Sequence, residues 1–292
     1  MTKKVSQPQR FKQLVVSSRP ISWINTGFPF AAGYLATGGI LNIYFVVACL
    51  YFLIPYNFLI YVVNDVFDYE SDVLNPRKNS IEGGLLPPET HKFMLIATVM
   101  FNLVFLIYLF VFGNTATNLL LVLIVLGAVS YSLPPLRLKE RPFLDSINSS
   151  FHFVSPLIFG LALTGWSASF WVYITAFFLW GCASHAFGAV QDINADRQAN
   201  IGSVATYLGA QKTVRLSLLL YIASAALLLI AGWPTAIVSL PILAYAAMVA
   251  PYINLTDTNC QQANKGWRHF LLLNQFTGFV VTLVLITSKV LD

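Results

Sequence analysis

Residues 45–72 read FVVACLYFLIPYNFLIYVVNDVFDYESD. Residues 45–63 carry no charge, and then four carboxylates, Asp65, Asp68, Glu70 and Asp72, fall within eight positions. About 20 consecutive apolar residues are what an α-helix needs to cross a bilayer, so this stretch predicts a membrane helix that ends in a cluster of like charges. The chain around it agrees. Its 292 residues are 57% hydrophobic and 10% charged, whereas a soluble domain is about a quarter charged. The fold class expected is all-α, a multi-pass membrane bundle.

Nine candidate spans are expected, at about 21–38, 44–64, 93–112, 117–132, 147–165, 168–191, 214–232, 235–254 and 270–288. A basic start followed by an apolar run also fits a cleaved signal peptide, but this run carries Asn25 and Thr26 and is one of many, which favours a retained first helix. The links alternate between short uncharged turns (GGILN, FGNTATN, GWSAS, GWPTA) and longer charged segments at 65–92, 133–146, 192–213 and 255–269. With the N-terminus cytoplasmic and the C-terminus outside, 16 of the 17 Lys and Arg residues face the cytoplasm, and only Lys289 does not. That segregation follows the positive-inside rule. It accounts for the net charge of +5 without nucleic acid, as topology plus attraction to anionic headgroups of membrane lipid. Eleven of the twelve acids share that face, although topology does not require them there. One domain, 1–292, is expected in the plasma membrane. Cys49, Cys182 and Cys260 are scattered and form no metal-binding or redox spacing.

At about 100° per residue, Asp65, Asp68 and Asp72 lie within roughly 60° of one another on a helix, and Glu70 points nearly opposite. Asn57, Tyr61 and Asn64 extend that polar side into the apolar run. A second motif, QDINADRQANIGS at 191–203, places Asp192 and Asp196 one turn apart. His185 stands seven residues earlier on the same stripe, and Asn200 continues it if the helix persists. Clustered carboxylates need a cation. Mg²⁺ takes oxygen ligands, keeps waters, and typically binds one or two carboxylates plus substrate phosphates. Two aspartate clusters on one membrane face therefore suit Mg²⁺ around a diphosphate, with Arg77, Lys78, Arg137, Lys139 and Arg197 near enough in sequence to neutralise the rest of its charge. Tyr131, at the start of YSLPPLRLKERPFLD (131–145), can donate a hydrogen bond at the interface or serve as an aromatic-belt residue. His152 and His185 are packed polar groups or proton-handling ones.

The motifs NDVFDYESD and DINAD, after the second and sixth spans, resemble the UbiA superfamily of intramembrane prenyltransferases. More narrowly, SSRPISWINTGFPF, NDVFDYESDVLNPRKNSIEGG, YSLPPLRLKERPFLDS, GAVQDINADRQANIGSVAT and NCQQANKGW resemble its carotenoid branch, the lycopene elongases of actinobacteria. Aromatic-acceptor members usually carry an arginine-rich stretch where NPRKNSIEGG stands, and a Gly or Asp where Asn200 stands. The resemblance implies nine helices and Mg²⁺ held by Asp65, Asp68, Asp72, Asp192 and Asp196, with Asn64 and Tyr131 assisting. It implies transfer of C5 units from dimethylallyl diphosphate to the ends of lycopene, giving C45 and C50 carotenoids. Two other readings stay open: a prenyltransferase for an aromatic or chlorophyll-type acceptor, and an ion-coupled transporter. The transporter predicts acids near the bilayer midplane, and here they gather at one face.

Overall fold

The computed structural model describes residues 6–73 and 85–291, with side chains to 288. Every regular element among them is helical. The amphipathic α1 (Gln7–Ser17) starts on a Ser6 cap that exchanges hydrogen bonds with Gln9. Among the described residues, eight helices are long and apolar enough to cross a membrane: α3 (Ile43–Phe67), α5 (Pro88–Phe112), α6 (Thr115–Ser132), α7 (Leu144–Thr164), α8 (Phe170–Val190), α11 (Ala210–Ile230), α12 (Thr235–Tyr252) and α14, apolar over Phe270–Ser288. The span expected at 21–38 forms α2 (Ile24–Ala36), which has 13 residues and follows a 3-10 turn at Pro20–Ser22. Four short helices sit between the longer ones: α4 (Tyr69–Asp72), α9 (Ile193–Gln198), α10 (Val204–Leu208) and α13 (Ala263–Trp267). The chain is a multi-pass membrane protein.

The described residues group into two compact units, Met1–Arg137 with Phe159–Thr164, and Leu138–Ile158 with Gly165–Asp292. The first unit is centred on α3. Of its apolar window 61% is buried, against 17% for α5, where Val99, Leu103, Val104, Ile107 and Val111 face outward as lipid-facing residues do. Phe30, Tyr34, Phe45, Phe52 and Phe159 form one ring cluster. Gly160 makes it possible, because a Cβ there would collide with the Phe30 carbonyl.

The α3 helix is not regular. Ile54 leaves helical geometry at φ −120°, ψ −71°, ahead of Pro55, and Phe58–Val62 winds as a π-helix. Proline lacks the N–H that would close the ladder, and side chains donate to carbonyls around the distortion. Asn57 Nδ2 donates to the carbonyls of Phe52 (2.9 Å) and Leu53 (3.0 Å). Asn102 Nδ2 donates to the carbonyl of Pro55 at 2.8 Å. Asn57 is therefore a buried brace, and the wider π turn shifts the phase of everything after it relative to a regular helix.

The second unit is built on α8 and α11. Ser184 and Tyr221 hydroxyls meet at 2.9 Å, Ser224 Oγ donates to the Ala176 carbonyl at 2.7 Å, and Trp180, Tyr245 and Phe270 stack around them. Gly181 lets Ser150 of α7 press against α8, where Ser150 Oγ donates to the Phe178 carbonyl at 2.7 Å.

Candidate active site

Asp65 is fully buried at the end of α3. Ser17 Oγ donates to its Oδ2 at 2.5 Å and Arg19 donates to its Oδ1 at 2.9 Å. Arg19 has a left-handed backbone at φ 54° and lies over the Tyr61 ring, 4.3 Å from the centroid. Neither Ser17 nor Arg19 stood out among the sequence motifs except as part of SSRP.

The helix breaks at Asp68, whose φ −100°, ψ 1° fall outside helical geometry, and resumes as α4. The Asp72 amide returns to the Asp68 carbonyl at 2.8 Å. Arg137, in left-handed backbone at φ 37°, approaches Asp68 Oδ1 to 3.5 Å. Asp72 is buried and Glu70 exposed. Asn64 Nδ2 donates to Ser132 Oγ at 3.2 Å, which ties α3 to the end of α6 beside the half-buried Tyr131. Arg77 and Lys78 lie outside the described residues.

The second motif has a similar break. Gln191 accepts from Asn264 Nδ2 at 2.6 Å, Asp192 sits at φ −97°, ψ −5°, and the Asp196 amide returns to the Asp192 carbonyl at 2.8 Å. Both carboxylates are half-buried. The short helix ends at Asn200, φ 56°, as the Ile201 amide reaches back to the Asp196 carbonyl at 2.8 Å. Asn200 thus does not extend the aspartate stripe; it occupies a left-handed cap position, which Gly, Asn and Asp tolerate best.

Arg197 turns to Asp257, its Nη1 donating to Oδ2 at 2.7 Å and its Nη2 donating to the Thr206 carbonyl at 3.1 Å. The Asp257 carboxyl is held below the ordinary aspartate range, first by the Ala210 amide (2.7 Å to Oδ1) and then by Arg197, against partial burial that acts the other way. Lys139 lies in a 3-10 turn at Leu138–Glu140 and is half-buried. His152 is buried within α7. His185 Nε2 lies 3.5 Å from Oδ2 of Asp145, a fully buried carboxylate to which its place in the sequence suggested no role.

Among the described residues, no group of three or more His, Cys, Asp or Glu side chains is close enough to hold a metal ion alone. The donors at both breaks are oxygens in pairs, one turn apart. This suits Mg²⁺, which completes its shell with phosphate and water.

These features define a multi-pass membrane protein with a carboxylate pair at each of two helix breaks. Residues 26–276 match the UbiA prenyltransferase family, and the chain belongs to that family. It is 47% identical over 280 residues to a lycopene elongase/hydratase of Corynebacterium glutamicum, covering 95% of this chain and 98% of that protein. It is 45% identical over 285 residues to a C50 β-cyclic carotenoid biosynthesis protein of a Dietzia species, covering 96% of this chain and 66% of that protein. In fold it is similar to a UbiA homologue of Archaeoglobus fulgidus bound to DMAPP and Mg²⁺, with TM-score 0.66, 18% identity, and coverage of 92% of this chain and 98% of that one. The chain is a prenyltransferase.

Proposed function

We propose that this prenyltransferase extends lycopene by C5 units from dimethylallyl diphosphate, giving C45 and C50 acyclic carotenoids, with Mg²⁺ as cofactor. The observation that carries the reading is the repeated helix break, an aspartate at the junction of two helices and another four residues later, at Asp68/Asp72 and Asp192/Asp196. The elongase named among the relatives, similar over nearly the whole chain, supports the carotenoid acceptor.

On this reading each pair is a ligand set for metal and diphosphate, and Asp65 adds the lone pairs that Ser17 and Arg19 leave open. Bound Mg²⁺ would neutralise the charge that develops on the departing diphosphate. Asn64 and Tyr131 orient the substrate; Arg137, Lys139, Arg77, Lys78 and Arg197 supply further positive charge, Arg197 by leaving Asp257. Nine spans with the N-terminus cytoplasmic and the C-terminus outside put this chemistry at the inner face of the plasma membrane, and the whole chain acts as one domain. An acceptor dissolved in the bilayer explains why diphosphate chemistry is built at a membrane surface.

The test is expression in a lycopene-producing host, then mass analysis of the pigments. C45 and C50 products are expected. Prenylation of an aromatic acid with lycopene untouched would sink the assignment.

A further inference from the structure

The second unit carries an apolar groove with a charged mouth. The groove lies between α12 and the start of α14 and has a volume of about 380 Å³. Ala244, Ala247 and Met248 wall one side, Leu272 and Leu273 the other. Ala247 and Leu272 are exposed, so the groove opens outward, where lipid surrounds a membrane span. One end is closed by Tyr252 and Gly266, which meet closely because Gly266 has no Cβ; one there would stand 2.7 Å from the Tyr252 ring. His269 lines the groove at that end, with Lys265 and Arg268 beside it in sequence, and all three are exposed. Among the described residues the Lys265 and His269 side chains have no hydrogen-bond or ion-pair partner, and Arg268 uses only its Nε, on Asn264 Oδ1 at 3.1 Å. Arg215 reaches the same end of α12, donating to the Ile253 carbonyl at 3.3 Å. Asp257 is the one carboxylate between positions 241 and 288. Its two oxygens are already taken by the Ala210 amide and Arg197.

We propose that this groove seats an acyl chain of an anionic phospholipid, with the headgroup phosphate held by Lys265, Arg268 and His269. Basic pockets between membrane helices are suited to anionic headgroups. The terminal nitrogens of Arg268 match two phosphate oxygens at once. Lys265 adds a point charge, and His269 can donate from a ring nitrogen. From Tyr252 to Ala244 the α12 wall runs eight residues, about 12 Å at 1.5 Å per residue, from the cations into the apolar span. A charged end continued by an apolar channel along the helix has the shape of an amphiphile. A carotenoid hydrocarbon would leave the three basic side chains without a partner. A second copy of this chain meeting the groove by the same face would set cations against cations. The site stands apart from the identity of the prenyl acceptor.

The experiment titrates the purified full chain in detergent with dioleoyl phosphatidylglycerol or dioleoyl phosphatidylcholine and counts bound lipid by native mass spectrometry. Wild-type protein is expected to retain one phosphatidylglycerol about 25-fold more tightly than phosphatidylcholine, at about fivefold for each Lys or Arg near the headgroup. Lys265→Gln combined with Arg268→Gln should remove that preference. Ala247→Leu fills the groove from an exposed position and should abolish the tightly held lipid while leaving the melting temperature of the lipid-free protein unchanged. Equal retention of the two lipids by the wild type, or an undiminished preference in the double variant, overturns the headgroup site. Phosphatidylglycerol held as tightly by Ala247→Leu as by the wild type overturns the groove as its seat. If Ala247→Leu instead loses bound lycopene with phosphatidylglycerol unaffected, or turns a dimer into a monomer, the occupant is the acceptor or a second copy, and the proposal falls.

Discussion

Asp68 and Asp192 break their helices with nearly the same backbone, φ −100°, ψ 1° and φ −97°, ψ −5°, and in each case the amide four residues on returns to the aspartate carbonyl at 2.8 Å. The residues ahead of the breaks differ. In the first motif Asn64 and Asp65 stand four and three residues ahead; in the second those places hold Gly188, against the Trp267 ring, and Ala189. Asp65 has no counterpart, and it is also the aspartate whose oxygens are taken by Ser17 and Arg19. The shared part, two aspartates one turn apart, is the part proposed above to hold metal and diphosphate. The unshared part fastens the N-terminal segment to α3.

The largest effect expected concerns the shared part. Asp68→Ala and Asp192→Ala should each lower turnover at least about a thousandfold, as loss of a main charge-stabilising group does, with membrane insertion unchanged. Full activity in either, measured as diphosphate release, would break the equivalence of the two motifs. Next comes the fastening. Arg19→Ala leaves Asp65 buried without its cation and should destabilise the protein by about 3–5 kcal/mol, read as thermal unfolding in detergent. Asp65→Asn should cost less, because an amide oxygen still accepts a hydrogen bond there and the charge left over, on Arg19, keeps the Tyr61 ring face. If Asp65→Asn instead weakens Mn²⁺ binding as much as Asp68→Asn, Asp65 belongs with the metal pair.

A smaller difference is expected at Asn200. Asn200→Gly should leave stability nearly unchanged, whereas Asn200→Val should lose about 1–2 kcal/mol, the cost of a left-handed backbone to a residue with a branched Cβ. The smallest effect belongs to the exposed pair Arg197–Asp257. Such pairs contribute at most about 1 kcal/mol, so Arg197→Gln should barely move the melting temperature. The sign of its pH dependence is fixed. Asp257 is held below the ordinary aspartate range, so its contribution is present above that range and fades as pH falls through the lowered value. Asp257→Asn should flatten that acid limb in melts recorded from neutral to low pH.

The helical class, eight of the expected spans and both acidic motifs were legible in the sequence because each is written locally, as a run of apolar residues or a spacing of one turn. The exposure of Glu70 comes from the same helical phase. The features that were not legible depend on residues far apart in the chain. Ser17 and Arg19 reach Asp65 across 48 and 46 positions, and the Arg197–Asp257 pair spans 60. No spacing rule couples Asp145 to His185. The π turn at Phe58–Val62 was missed for another reason: it arises from the distortion at Ile54–Pro55, and the sequence around it is as apolar as a regular helix would be. The first span came out short because residues 20–22 wind as a 3-10 turn.

That π turn has a consequence for how such a site can change over time. Each residue added to or removed from a helix rotates all later residues of that helix by about 100°. The five π residues lie in the apolar part of α3, upstream of every carboxylate in its motif. A one-residue deletion there, returning the segment to regular winding, would leave Asn64, Asp65 and Asp68 at nearly their present heading, because four regular residues turn about as far as five π residues. The π turn thus lets the apolar part of α3 carry one residue more without re-aiming the first motif.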